Sequence, residues 1–304
     1  MTATEDGPPH NRGKDAAGAQ DSTGDGGADG DGAGAGGTAI KPRSLVFDLF
    51  GDYLRYRGGE VRLRHLSAAL GFFDVPESTV RVVVGRLRRD GWLVSRREGR
   101  ETVYALTDAA WRLLDEGRDR IFRRDPEPWS GEWQMIIYSV PETERAVRDQ
   151  LRKQLAWWGF GSLSPSVWIS PHDRAPAIAE SFAGDSPVRL DVFRSRADNG
   201  TSDTELVARA WDLATLGADY LAWLARWEPV LRRCRQASPH GPEALVLRMR
   251  LVRDYRGFPF RDPDLPAELV PADWPGRRAF ELFISLHDLL EPAAEAALAA
   301  VLDD

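Results

Sequence analysis

Residues 76–107 read PESTVRVVVGRLRRDGWLVSRREGRETVYALT, and the fold turns on how this stretch is divided. Pro76 suits the first position of a helix, Asp74 and Glu77 stand near its positive end, and Gly91 closes it. At 100° per residue, Val80, Val83, Val84 and Leu87 share one side, which is the side a core would take. The opposite side then carries Ser78, Arg81, Val82, Gly85, Arg86 and Arg89. After Gly91 the period changes from helical to alternating: residues 92–97 predict a strand, Glu98-Gly99-Arg100 a turn, and residues 102–106 a second strand. Thr107 is placed to cap a further helix bearing Trp111, Leu114, Ile121 and Phe122.

Upstream, Ser44 is positioned to cap a helix with Leu45, Val46, Leu49, Phe50, Tyr53 and Leu54 along one stripe, ended by Gly58-Gly59. A second helix follows with Leu63, Leu66, Ala69 and Leu70 inward and Gly71 as its stop, and residues 72–74 make a turn. The order helix, helix, helix, hairpin, helix is that of a winged helix-turn-helix. Its third helix has the composition of one lying in a DNA major groove, where Arg pairs with guanine edges, Ser with several acceptors and an apolar group with a thymine methyl. Gly85 permits close backbone approach. The hairpin adds Arg96, Arg97 and Arg100 at its tip, where a wing meets the backbone or the minor groove. The candidate DNA-binding residues are therefore Ser78, Thr79, Arg81, Val82, Gly85, Arg86, Arg89, Arg96, Arg97 and Arg100, with bases and phosphates left undivided among the arginines.

Charge agrees with that placement once it is resolved along the chain. The total is -7, which argues against a phosphate partner, but residues 41–100 carry 13 basic and 7 acidic groups. Residues 1–40 carry 2 basic and 7 acidic groups, and residues 1–37 hold 11 Gly with no large apolar residue. The expectation for 1–40 is a disordered acidic tail. A chain of 304 residues exceeds one usual core, so two or three domains are expected. No run approaches the roughly 18 apolar residues of a membrane span, and the N-terminus lacks the apolar run of a signal peptide, so the expectation is a cytoplasmic protein with no membrane partner. The single Cys234 forms no internal disulfide and reads as structural.

Beyond 124 the pattern changes again. Asp125-Pro-Glu-Pro128 reads as a linker. A strand at 133–140, an amphipathic helix at 142–157, a strand at 163–170, a short helix at 175–182 and a strand at 188–193 give a β-α-β-α-β order. One strand is left open in a ferredoxin-like sandwich. From 204 the chain is mostly helical, with Trp211, Leu213, Leu216, Tyr220, Leu224 and Trp227 as a core stripe. Leu245, Met249, Val252 and Tyr255 mark another helix, and the last runs over 276–302. The expected architecture is α+β: a tail at 1–40, a winged helix-turn-helix at 41–124, a ferredoxin-like central domain at 129–196 and a mainly helical C-terminal domain at 204–304.

Particular motifs carry a resemblance. Pro76-Glu-Ser-Thr-Val-Arg81, Arg86-Leu87, Gly91-Trp92-Leu93, Arg96-Arg97-Glu98-Gly99-Arg100 and Tyr104-Ala-Leu-Thr107 resemble the N-terminal domain of PaaX-type repressors. Trp129-Ser-Gly-Glu-Trp133, Tyr138-Ser-Val-Pro-Glu142, Gly159-Phe-Gly161 and Val167-Trp-Ile-Ser-Pro171 resemble that family's central domain. Asp254-Tyr-Arg256, Asp262-Pro-Asp-Leu-Pro266 and Asp273-Trp-Pro-Gly276 resemble its C-terminal domain. The resemblance implies a homodimeric regulator on a double-stranded DNA operator, released by an acyl-CoA effector such as phenylacetyl-CoA. It assigns no ligand-binding residues.

Two other classes stay in view. The central sandwich also resembles that of CRISPR adaptation nucleases, which would make the chain a metal-dependent enzyme. Residues 133–141 contain no Asp or Glu to hold a divalent cation, however, and His10, His65, His172, His240 and His287 lack metal-ligand spacing. No nucleophile elbow, phosphate loop or dinucleotide fingerprint is present, so neither catalytic residues nor a cofactor are expected. The other class is a partner-binding module whose winged helix no longer reads DNA, and the Ser78, Arg81, Arg86 and Arg89 face stands against it.

Overall fold

The computed structural model describes residues 40–124, 128–182, 187–198 and 200–303. The expected tail, except Ile40, and residues 125–127 of the expected linker lie outside the described residues. The chain begins with α1 (Pro42–Asp52), a 3-10 turn at Leu54–Tyr56, β1 (Glu60–Arg62), α2 (Leu63–Gly71) and α3 (Glu77–Arg89). The hairpin β2 (Leu93–Glu98) and β3 (Glu101–Leu106) follows, then α4 (Asp108–Phe122).

Several local expectations shift by a few residues for identifiable reasons. α1 starts at Pro42, and Ser44 lies inside it with its N–H on the Lys41 carbonyl at 2.9 Å, so Ser44 is not the cap. Proline's fixed φ and missing N–H suit a first turn better than a hydroxyl does. Gly71 is the last residue of α2, and the left-handed conformation falls on Asp74 at φ 58°. Pro76 caps α3 from outside it, its carbonyl accepting from the N–H groups of Thr79 and Val80. Thr107 caps α4 as its sequence suggests, accepting from the Ala110 N–H at 3.3 Å.

β1 has no counterpart in the sequence reading. It pairs with β3 (Glu60↔Ala105, Arg62↔Val103), giving a three-stranded antiparallel sheet of order β1-β3-β2. Three residues are too few for alternation to show, and only Val61 is buried.

The core beneath these elements is not self-contained. Leu45, Leu49, Phe50, Leu66, Leu70, Val80, Val84 and Leu87 form one hydrophobic cluster with Ala244, Leu245, Met249, Ala294 and Leu298 from the far end of the chain. Residues 40–304 accordingly form one compact unit. The distant residues come from α9 (Pro242–Tyr255) and α10 (Pro275–Leu302), which follow α7 (Asp203–Ala210) and α8 (Leu213–Gln236). The aromatic stripe of α8 is core: Tyr220, Trp223 and Trp227 are buried with Tyr255, Phe258 and Phe283. Among the described residues no helix is long and apolar enough to cross a membrane.

The middle segment holds β4 (Trp133–Ser139), α5 (Arg145–Trp157), β5 (Gly161–Ser164), β6 (Val167–Ser170), α6 (Ala175–Ser181) and β7 (Arg189–Ser195). The expected single strand at 163–170 is two strands turned at Pro165-Ser166, which supplies the strand the sequence reading left open. The four strands are antiparallel in the order β5-β6-β4-β7. One face packs Ile136, Tyr138 and Trp168 against Leu151, Leu155 and Ile178 of α5 and α6. The other face packs Trp133 and Ile169 against Val207 and Leu269. That second contact needs Gly161: a Cβ there would stand 2.4 Å from the Trp211 ring.

Candidate nucleic-acid interface

α3 is a helix because its valines and leucine find one apolar face and its ends suit the dipole. Glu77 lies in the first turn and Arg86, Arg88 and Arg89 in the last, and Gly91 takes φ 77° beyond the end. Val80, Val84 and Leu87 are fully buried and Val83 is half-buried. On the other side Ser78, Arg81, Val82, Arg86 and Arg89 are exposed, whereas Thr79 and Gly85 are half-buried. Val82 is 52% exposed, an apolar side chain held in water on a helix whose core is already filled. A Cβ added at Gly85 would meet nothing within 4 Å. The fold therefore has no steric need of a glycine that costs a mid-helix position about 1 kcal/mol against alanine.

The arginines of this surface divide into held and free groups. Arg81 is drawn back along its own helix, with Nη2 2.5 Å and Nε 3.1 Å from Glu77 Oε1. Arg88 turns toward the hairpin, where Nη1 donates to Ser95 Oγ at 3.3 Å. Arg96 lies in a lattice on the outer face of the β1-β3-β2 sheet, 2.6 Å from Glu60 and 2.9 Å from Glu98. Arg62 reaches Glu98 at 3.5 Å and Glu101 at 3.3 Å, and Arg64 reaches Glu101 at 3.0 Å. Hydrogen bonds to Glu60 and Glu98 hold the Arg96 pKa above its usual value, and the Arg96 guanidinium holds the Glu98 carboxyl below its own. Among the described residues, Arg86, Arg89, Arg97 and Arg100 form no ion pair. Gly99, at φ 62°, and Arg100 make the hairpin tip.

The structure thus brings all ten sequence-predicted residues onto α3 and the hairpin, with Arg81 and Arg96 already partnered. Sequence reading missed Arg62, Arg64 and Arg88. Arg62 ends a strand too short to recognise and Arg64 follows it in α2, and Arg88 is aimed by its contact with Ser95. Among the described residues no group of three or more His, Cys, Asp or Glu is placed to hold a metal ion. On β4 the polar core position belongs to Gln134, whose amide donates to Asp173 at 2.5 Å and accepts from the N–H groups of Arg174 and Ala175. An uncharged side chain so occupied at the start of α6 serves as a helix cap.

Family profiles match three successive stretches of the chain. Residues 41–110 match a profile described as PaaX-like protein, 126–207 one described as PaaX protein central Cas2-like domain, and 211–300 one described as PaaX-like protein C-terminal domain. Transcriptional repressor PaaX of Escherichia coli (strain K12) is 32% identical over 262 residues, covering 84% of this chain and 82% of that protein. An uncharacterized protein from Mycobacterium tuberculosis has a similar fold, with a TM-score of 0.59 at 24% identity over 84% of this chain and 98% of that one. With all three segments matched in order and a relative this similar over most of its length, the chain belongs to the PaaX family.

Proposed function

We propose that this protein is a sequence-specific DNA-binding transcriptional repressor whose reader is a winged helix-turn-helix at 41–124. In this reading α3 enters the major groove, the β2–β3 hairpin is the wing, 129–196 is a ferredoxin-like domain and 204–304 a helical one. The observation that carries it is the outer face of α3: free Arg86 and Arg89, an exposed Val82, and a Gly85 that nothing inside the fold requires. A purely solvated face would have no use for the last two. The relative named as a repressor supports the sign of regulation.

One recognition helix reads only a few base pairs, so the site is an inverted repeat bound by a homodimer, with half-site centres about 10 base pairs, or a multiple of that, apart. The effector that releases the operator is an acyl-CoA such as phenylacetyl-CoA, an assignment supported by family membership. Selection of bound sequences from a randomised duplex library tests the reading. The wild type should enrich one inverted repeat. Arg86→Ala should bind that repeat more weakly by about 1–3 kcal/mol and relax one position in each half-site. A library that yields no enriched sequence, or an Arg86→Ala protein with unchanged preference, would overturn it.

A further inference from the structure

α3 carries four arginines and a single carboxylate, Glu77, at its first position. Glu77 and Arg81 form an ion pair open to solvent, their side chains 57% and 61% exposed. The pair is lopsided. Arg81 Nε at 3.1 Å and Nη2 at 2.5 Å both donate to Glu77 Oε1, and among the described residues Oε2 accepts no hydrogen bond. A side-on fork between arginine and carboxylate uses both oxygens. Here one oxygen takes two donors and the other keeps its lone pairs, while Arg81 keeps both N–H groups of Nη1 and the second of Nη2.

Two ordinary roles account for part of this arrangement. A carboxylate in the first turn complements the helix dipole, and a Glu four residues before an Arg steadies an exposed helix a little. Both are served at a cost to DNA affinity, since a carboxylate at the tip of a basic surface opposes the phosphate contacts of its neighbours. A reading role turns that cost into discrimination. The N-terminal residues of a recognition helix are those that reach base edges, and this end of α3 presents exposed Glu77, Ser78 and Arg81.

We propose that Glu77 and Arg81 act as one unit that reads a single C·G base pair in each half-site, with Glu77 Oε2 accepting from the cytosine N4 amino group and Arg81 donating to O6 and N7 of the paired guanine. The assignment rests on the reading of α3 as the major-groove helix. A C·G pair shows a donor beside two acceptors there, the complement of one free carboxylate oxygen beside a fork of N–H groups. An A·T pair alternates acceptor, donor and acceptor and ends in a methyl, so the fork finds no two adjacent acceptors. The carboxylate also repels the guanine or thymine acceptors that a reversed or substituted pair would place against it. The unit therefore rejects wrong pairs more than it tightens the right one.

Selection from a randomised duplex library with the full-length protein tests the unit. The wild type should enrich a repeat with one C·G pair per half-site that Glu77→Ala and Arg81→Ala both leave unspecified, every other position being kept. Glu77→Gln, whose amide pairs with adenine N6 and N7, should move that position toward A·T. By fluorescence anisotropy the wild type should bind the selected repeat about tenfold more tightly than one with that pair replaced, and Glu77→Ala should bind the two within about twofold of each other. Exchanging the cytosine for a pyrimidinone that lacks only the N4 amino group should weaken the wild type and leave Glu77→Ala unmoved. A Glu77→Ala protein that selects the unchanged repeat would confine Glu77 to the helix dipole and overturn the unit, as would Glu77→Ala and Arg81→Ala proteins that relax different positions. A wild type that enriches no sequence would strike the reading of α3 itself, and the unit with it.

Discussion

The segment from α1 to α4 is held by two sets of arginine contacts, one in solvent and one largely in the interior. On the outer face of the small sheet, Glu60, Glu98 and Glu101 meet Arg62, Arg64 and Arg96, all with side chains between 33% and 53% exposed. Between α1 and the end of α9, Asp48, its side chain 9% exposed, meets Arg256, 33% exposed, at 2.5 Å, and Arg248 lies 5.0 Å over the ring of Tyr53 with 4% of its side chain exposed. Water screens the first set and replaces it cheaply; Asp48 and Arg248 of the second set were desolvated when the helices closed and have no such substitute. The inner set therefore governs stability and the seating of α1 on the C-terminal helices. The outer set governs how much positive charge the β2–β3 hairpin presents.

Breaking the inner set should produce the largest effect. Arg256→Ala leaves the Asp48 carboxylate buried beside an already unpartnered Oδ2, and should cost about 3–5 kcal/mol in urea unfolding. The Asp48→Asn/Arg256→Met double variant should recover most of that loss, since both partners become neutral. A single variant within 1 kcal/mol of wild type, on the order of a surface pair, would place the two sets in the same class.

A pH series should sharpen the comparison next. Burial, with Asp48 beside it, pushes the Asp52 carboxyl from 3.8 up to about 6. The folded chain then keeps a proton the unfolded chain has lost, so this group makes stability fall as pH rises from about 4 to 6. Burial and Arg248 push His287 from 6.5 down to about 4. Here the unfolded chain binds the proton, so stability falls as pH drops from about 6.5 to 4. The two slopes oppose each other over most of the same window. Asp52→Asn should raise stability at pH 7 by up to about 2 kcal/mol and unmask the acid-side loss caused by His287. Chemical denaturation at half-unit pH steps reads both, and a curve parallel to wild type would mean that Asp52 does not hold a raised pKa in the folded chain.

Changes on the outer surface should move binding and shift folding by no more than about 1 kcal/mol. Gly85→Ala should stabilise the protein by about 0.5–1 kcal/mol, since the helix is favoured and open space receives the methyl. The same methyl should weaken operator binding measured by fluorescence anisotropy. A stabilised variant with undiminished affinity would mean that no backbone approaches there. Smallest of all, a Glu60→Gln/Glu98→Gln double variant should alter the melting temperature by no more than about 1 kcal/mol per pair implies, and raise affinity for DNA at low salt by freeing Arg96 from both carboxylates. Unchanged affinity at low salt would show that Arg96 does not face the duplex.

The parts legible in the sequence are those whose cause is local. The 3.6-residue repeat of Val80, Val84 and Leu87 exposes Arg86 and Arg89 in any tertiary setting that buries a valine. Thr107 caps α4 because its hydroxyl lies within reach of the Ala110 N–H, and Gly99 turns the hairpin because φ 62° suits it. The motifs at 254–256, 262–266 and 273–276 were visible as a family resemblance, but not their use. Arg256 pins Asp48, Asp262 holds Arg124 and Tyr220, and Trp274 packs against Gly217 and Gly276.

By itself, then, the sequence determined the helices and their apolar stripes, the hairpin, the basic face of α3 and the family. Tertiary structure alone decided which stripe meets which: that α1 and α3 share a core with α9 and α10, that β5 and β6 are separate strands, and that Arg96 is held by Glu60 and Glu98. The reason is range. A helical face or a turn is set by hydrogen bonds and sterics within a few residues, whereas a pair such as Asp48 and Arg256, 208 positions apart, exists only after the intervening chain has closed. Its geometry is chosen by the fit of whole helices, which no local pattern records.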